Sequence, residues 1–210
     1  MSNKKHSGFL GSVYNAGDPD EIAKLYDGWA NSYDEEMASA GYRHPSICVA
    51  LLARHLPGGA EPLLDAGAGT GLIGEWLGIL GYRQVEGLDI SEGMLKVAAG
   101  KGVYSKLHNL ALGGVLPFAD GEFAGIVSSG VFTTGHVGAE ALDELIRICK
   151  QDGVIVLTIK NDLWDNEFAG RLAELAQEGA IELIEETVPY VSMPGEAGTI
   201  PSRGIVLRIR

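Results

Sequence analysis

The chain is poor in cysteine, proline and clustered positive charge, and each shortage removes a class of protein. Its 2 cysteines, Cys48 and Cys149, are too few and too far apart for a disulfide framework or a metal knuckle, which predicts reduced thiols in a cytoplasmic protein. Prolines number 8, no Gly-X-Y period runs through the chain, and 46% of residues are hydrophobic, so collagen-like and disordered readings both fail. Basic residues total 16 against 28 acidic ones, a net charge of -12, and no basic run is longer than Lys4-Lys5. Duplex binding draws its affinity from clustered Lys and Arg, so no nucleic-acid partner is expected. The N-terminal stretch lacks the apolar core of a signal peptide, and no segment approaches the roughly 20 apolar residues of a membrane-spanning helix. No membrane partner is expected either.

Glycine is what the chain has in excess, 30 of 210 residues, about twice the average usage of roughly 7%. Residues 1–20 are polar, glycine-dotted and aperiodic, and read as a weakly ordered tail. From Asp20 the pattern turns helical, with Ile22, Leu25, Tyr26, Trp29 and Tyr33 on one face. A second helix is predicted over Pro45 to His55, broken by Pro57-Gly58-Gly59. Residues 21–56 thus form an N-terminal helical unit, followed by a larger domain over 57–210.

In that larger domain, short apolar runs alternate with amphipathic helices. Strands are expected at 62–66, 84–89, 105–110, 124–129 and 154–159, with helices at 72–80, 92–99 and 139–150 between them. Such alternation implies βαβ units, a mostly parallel sheet and helices on both faces, a Rossmann-like doubly wound α/β fold. A helix over 166–178 then leads to strands near 181–188 and 204–210. With no helix between them, these two should close the seven-stranded sheet as an antiparallel hairpin.

The chemistry concentrates at two strand ends. Asp65-Ala66-Gly67-Ala68-Gly69-Thr70-Gly71 runs from a strand through alternating glycines into a helix, which lets backbone approach a nucleotide-type ligand. A tight corner without a ligand is the bland alternative. At the end of the next strand, Asp89 can accept hydrogen bonds from both ribose hydroxyls, unless it merely caps the following helix, a role that Ser91 can fill equally well. A dinucleotide dehydrogenase has to be weighed, because Gly69-Thr70-Gly71-Leu72-Ile73-Gly74 also satisfies G-x-G-x-x-G. Its first glycine, however, falls three residues beyond the strand end, where that fingerprint begins at once.

With Gly87-Leu88-Asp89-Ile90-Ser91, Met94-Leu95, Leu116-Pro117-Phe118 and Leu145-Ile146-Arg147, the glycine loop resembles the class I S-adenosylmethionine-dependent methyltransferases. Tyr26-Asp27-Gly28-Trp29-Ala30-Asn31-Ser32-Tyr33-Asp34 and Tyr42-Arg43-His44-Pro45 look, more narrowly, like the Williams-Beuren-region methyltransferase-like proteins. The resemblance covers roughly Ile22 to Lys160. It implies S-adenosyl-L-methionine as cofactor, S-adenosyl-L-homocysteine as product, and a small-molecule acceptor methylated on oxygen or nitrogen. By position, Asp65 would organise the loop, and Ala66, Gly67, Gly69, Thr70 and Gly71 would meet the methionine and ribose. Asp89 would hold the ribose, and Ile90 and Met94 would flank the adenine. Ala111, Leu112 and Ser129 would complete the pocket, and Tyr26 and Tyr33 would close a helical lid over the sulfonium, whose charge an aromatic face attracts. Trp29 is expected in the core of that lid.

The resemblance has two departures. Where the related pattern has an aspartate for the adenine amino group, this chain has Ala111, leaving the task to backbone or to Asn109. Ala124 likewise replaces an aspartate usual before the fourth strand, at a position that is ordinarily structural. Acceptor candidates are Ser128, Ser129, Gly130, the loop Thr133-Thr134-Gly135-His136, and Asn161, Asp162 and Trp164. His136 is the preferred catalytic base, because an imidazole's reference pKa of about 6.5 lets the neutral ring accept a proton near pH 7, with a loop histidine exposed or bonded locally as the alternative. His108 and Cys149 are expected to pack, Arg43 to meet a carboxylate or a surface ion-pair partner. His6, His44 and His55 show no ligand spacing, so no metal is expected. A cofactor-binding module without turnover is the remaining rival.

Overall fold

The computed structural model describes residues 11–12, 18–133 and 137–210. Most of the expected tail lies outside the described residues, and so do Thr134, Gly135 and His136. Within them, Asp18 caps helix α1 (Pro19–Trp29), its carboxylate accepting from the Asp20 amide at 2.8 Å, and Pro19 takes the first turn, where no amide partner is needed. The helical face foreseen as continuous through Tyr33 breaks after Trp29. A turn intervenes, and Tyr33 opens a second helix, α2 (Tyr33–Ala40), stopped by Gly41 at φ 69°. Helix α3 (His44–His55) follows.

The sheet is built from β1 (Leu63–Ala66), β2 (Val85–Asp89), β3 (Lys106–Asn109), β4 (Phe123–Phe132), β5 (Cys149–Lys160), β6 (Ile181–Glu186) and β7 (Ser202–Ile209). Helices α4 (Leu72–Ile79), α5 (Glu92–Lys101) and α6 (Ala141–Ile148) connect its parallel part. After β5 the chain continues through α7 (Asn161–Leu163), a π-helical turn at Trp164–Phe168 and α8 (Ala169–Gln177). The order is β3-β2-β1-β4-β5-β7-β6, with β7 antiparallel to both β5 and β6. The seven-stranded doubly wound α/β sheet with an antiparallel C-terminal hairpin is therefore what the chain forms.

Strand β1 is buried at all four positions, as a central parallel strand covered on both faces must be. One core, around Phe123, Phe132, Leu145 and Phe168, fills the face under α6 and α8. The opposite face packs Leu52, Leu77, Val127 and Val156 against α3 and α4. A third, separate cluster holds Trp29, Met37, Met94 and Met193, and ties the two N-terminal helices to α5 and to the loop after β6.

Two strands outrun their expected bounds. Strand β4 extends to Phe132, and β5 begins at Cys149, directly after α6, because register shifts beside Phe123 and Phe132 absorb the irregular backbone while pairing continues. The predicted helix at 166–178 starts earlier, with Asn161, whose amide bonds the Pro201 carbonyl at 2.9 Å. That anchor is supplied by a segment 40 residues away and has no local signature.

Candidate functional site

The switch point of the sheet lies between β1 and β4, where the chain, having run outward through β2 and β3, crosses back. Open α/β sheets bind ligands in the crevice at this point, beyond the carboxyl ends of the strands. Here β1 ends and the loop passes through Gly67, Gly69 and Gly71 at φ 86°, 53° and 90°, a region L side chains enter only at a cost. Gly67 and Ala68 donate their amides to the Leu88 carbonyl at 2.7 and 2.9 Å, which folds the loop against the end of β2. A methyl group on Gly67 would meet Val131 Cγ2 at 2.1 Å, whereas one on Gly69 would meet nothing within 4 Å. Gly67 serves the packing of the protein; Gly69 leaves room.

That room is a cavity of about 870 Å³, counted to its open mouth. Its lining brings together Tyr26, Tyr33, Gly67, Gly69, Asp89, Ile90, Met94, Ala111, Leu112 and Ser129. A smaller recess adjoins it, shares Tyr33, Gly67, Gly69 and Ser129 with it, and reaches Tyr42, Asp65 and Thr70. Of the positions foreseen for the cofactor, Ala66 and Gly71 line neither space. Ala66 is fully buried, and its carbonyl accepts the Ser128 hydroxyl at 2.6 Å. Gly71 caps α4 beneath the ring of Tyr104.

Asp89 accepts the Gly69 amide on Oδ2 at 2.8 Å and the Ser91 amide on Oδ1 at 2.9 Å. The cap of α5 falls to Ser91, whose Oγ accepts the Met94 amide at 3.0 Å. Asp89 is thus held by two amides with lone pairs left on each oxygen, as two-point recognition of a diol requires. Burial pushes its carboxyl above the ordinary range, against the pull of the Ser91, Gly69 and Ile90 amides, and Asp27 adds to the rise.

Asp65 is 1% exposed, and Tyr104 donates to its Oδ2 at 2.6 Å. Burial lifts its carboxyl to about 7, the Tyr104 hydrogen bond opposing and Asp89 adding. Sequence reasoning missed Tyr104. Its ring also crowds the faces of Gly71, Gly74 and Gly87, so three glycines that look like ligand contacts or turns instead make space for one tyrosine. Ser129 Oγ, at the junction of the two spaces, is buried without a hydrogen-bond partner. A buried orphan of this kind needs a polar ligand atom or a water.

The two N-terminal helices roof the cavity. Trp29, 1% exposed, stacks on Tyr26 with centroids 6.0 Å apart and meets Tyr33 edge-on at 4.8 Å, so it is the core of the lid as expected. Two aspartates seven residues apart latch that roof down, and neither was singled out in the sequence. Asp27 accepts the Ser91 hydroxyl at 2.6 Å and the Gly93 amide at 2.7 Å. Asp34 accepts the Thr70 hydroxyl and the Lys101 ammonium, the latter at 2.7 Å, and Lys101 also reaches Glu75 at 2.9 Å. A signal was present in the form of paired Tyr-Asp dipeptides, but only the fold puts loop and helix termini beneath them.

Several other candidates are relocated. Asn109 donates its amide to the Asp89 and Ile90 carbonyls at 3.1 and 2.8 Å, so it ties two strand ends together and does not line the cavity. Arg43 reaches the Val191 carbonyl at 3.4 Å, neither a carboxylate nor an ion-pair partner. Ser128 is fully buried in the sheet. Asn161 and Trp164 are both held by Arg203, through a 3.2 Å hydrogen bond and a guanidinium 4.5 Å from the indole centroid. His108 bonds Glu86 at 2.6 Å and packs edge-on against Phe118. His44, buried, bonds the Tyr190 hydroxyl at 2.6 Å, and burial beside Lys160 drives its imidazole down to about 3. Both cysteines are buried thiols. No cluster of metal-ligating side chains, and no helix long and apolar enough to cross a membrane, occurs among the described residues.

Residues 64–157 match the methyltransferase domain family. With the glycine loop, the strand-end aspartate and the 3-2-1-4-5-7-6 sheet order around it, that stretch is a class I S-adenosylmethionine-dependent methyltransferase domain, whose cofactor is S-adenosylmethionine. Among individual proteins, it is 36% identical to Methyltransferase-like protein 27 of Homo sapiens over 151 residues, 70% of this chain and 61% of that protein. It is 34% identical to the demethylmenaquinone methyltransferase of Renibacterium salmoninarum over 66% of this chain and 58% of that one. The match therefore spans about three fifths of the length of these relatives. A TehB-like S-adenosylmethionine-dependent methyltransferase from Corynebacterium glutamicum has the same fold, with a TM-score of 0.62 at 24% identity over 89% of this chain and 99% of that one.

Proposed function

We propose that the chain transfers a methyl group from S-adenosylmethionine to an oxygen or nitrogen of a small-molecule acceptor. The observation that carries the reading is the roofed cavity in which Asp89, Gly69, Ser129 and the lid tyrosines converge on an apolar space. Two-point acceptors for a ribose stand at its strand-end side, in Asp89. The orphaned Ser129 hydroxyl and the buried Asp65 carboxylate stand at the adjoining recess, where they suit the polar amino-acid end of the cofactor. Tyr26 and Tyr33 present aromatic faces, which favour a cation in a dry site.

The bound cofactor supplies an electrophilic methyl group on a sulfonium. This chain's own residues then have to hold the acceptor in line and exclude water, and alignment of that kind supplies much of the rate of a displacement. Ile22, Val131 and Val137 give the lining an apolar side suited to a neutral or aromatic acceptor. The demethylmenaquinone methyltransferase relative supports a small organic acceptor of this sort. The net charge of -12 disfavours acidic polymers. His136 keeps the role of base for a protonated nucleophile as a proposal from sequence, because it lies outside the described residues.

Release of S-adenosylhomocysteine in the presence of one member of a broad panel of phenols, catechols, quinols and amines tests the reading, alongside calorimetric binding of S-adenosylhomocysteine. Asp89→Ala is expected to lose at least tenfold in that binding while keeping its unfolding midpoint. Tight cofactor binding with silence across the whole panel would indicate a binding module without turnover. Binding of NAD in preference to S-adenosylhomocysteine would sink the assignment.

A further inference from the structure

The cavity reads its two ends by different means. At the end formed by β2 and β3 its lining is Leu88, Asp89, Ile90, Met94, Leu110, Ala111 and Leu112. With Asp89 committed to the ribose, no side chain in that stretch carries a hydrogen-bonding group. Of the polar side chains next to it in sequence, Asn109 spends its amide group on the Asp89 and Ile90 carbonyls, and Ser91 bonds the Met94 amide and Asp27. Main chain remains, since the amides of Ala111 and Leu112 donate to no acceptor among the described residues. Ala111 is also exposed, and Gly113, Gly114 and the 90%-exposed Val115 follow it, so this end of the slot opens to solvent.

We propose that the site recognises its nucleobase by apolar shape and main-chain amides alone, leaving the exocyclic 6-amino group unread and directed to solvent past Ala111. It therefore accepts S-adenosyl ligands that carry substituents on that nitrogen. The inference rests on the reading of the cavity as an S-adenosylmethionine site. The physical reason is one of selectivity. A site rejects an altered ligand strongly when a buried polar group loses its partner or when a wall blocks the added atoms. At the end of the slot beside Ala111 the described residues offer neither, and a methyl side chain at 111 stands where the related pattern has a carboxylate that would have made the amino hydrogens obligatory.

Calorimetry with the full chain decides it, using S-adenosylhomocysteine and its N6-methyl, N6,N6-dimethyl and N6-benzyl derivatives as probes. All three derivatives are expected to bind within about fivefold of the parent, because no hydrogen bond is forfeited. The variant Ala111→Asp is expected to bind the parent about fivefold more tightly and the dimethyl derivative, which has no hydrogen to donate, at least about tenfold more weakly than the parent. Thermal unfolding establishes that the variant is folded, and the wild-type series stands without it. A parent ligand that binds while any derivative is weakened beyond about fivefold overturns the inference. If the parent itself fails to bind, the S-adenosylmethionine reading falls and takes this inference with it.

Discussion

Asp65→Asn separates what the buried carboxylate costs the fold from what it does for a ligand. Asp65 is 1% exposed and its carboxyl is raised to about 7 by burial, so it is a group whose proton is held more tightly in the folded chain than in the unfolded one. Below about pH 4 both states carry the proton and the group has no effect on stability. As pH climbs from there to about 7, only the folded state keeps it, and stability falls by about 1.4 kcal/mol per unit. Above about 7 both states have released it, and the whole penalty, about 4 kcal/mol, remains. Asparagine retains an acceptor for the Tyr104 hydroxyl, 2.6 Å away, and does not titrate. Urea unfolding of both proteins at pH values from about 5 to 8 should show the variant gaining roughly 3 kcal/mol on the wild type across that span. Binding of S-adenosylhomocysteine should weaken in the same variant if, as proposed, the amino-acid end of the cofactor sits in the recess beside Asp65. A stability difference that stays constant with pH would refute the reasoning, because it would mean that Asp65 is ionised throughout.

Gly67→Ala and Gly69→Ala form a contrasting pair. The first drives a methyl group to 2.1 Å from Val131 and should lower the unfolding free energy by about 1–3 kcal/mol on denaturant titration. The second meets no protein atom, so its cost should stay near 1 kcal/mol of backbone strain while calorimetric affinity for S-adenosylhomocysteine falls at least tenfold. Asp34→Ala cuts the lid away from Thr70 and Lys101, and hydrogen exchange over 19–40 should quicken with little change elsewhere. Trp29→Ala empties the centre of the lid cluster and should cost about 3–5 kcal/mol in chemical denaturation, most of it as a loss of N-terminal helical signal.

The sequence by itself determined the sheet and the loop, because both are local. Alternating apolar runs and amphipathic helices specify βαβ units whatever lies around them, and three alternating glycines after Asp65 specify a backbone at positive φ. Asp89 was legible for the same reason, since a strand end and a carboxylate are adjacent in the chain. The lid was half legible: its aromatic face showed the periodicity, but the break after Trp29 did not, because Tyr33 continues the pattern from a new helix. Tertiary structure alone decided the rest. Tyr104 reaches Asp65 across 39 residues, Thr70 meets Asp34 across 36, and Asp27 meets Ser91 across 64. No local propensity encodes such pairs, which exist only because a parallel sheet brings successive strand ends to one edge. The glycines of the loop divide on the same principle. Sequence supplies their conformational freedom, and packing determines that Gly67 and Gly71 spend it on Val131 and Tyr104 while Gly69 keeps it for a ligand.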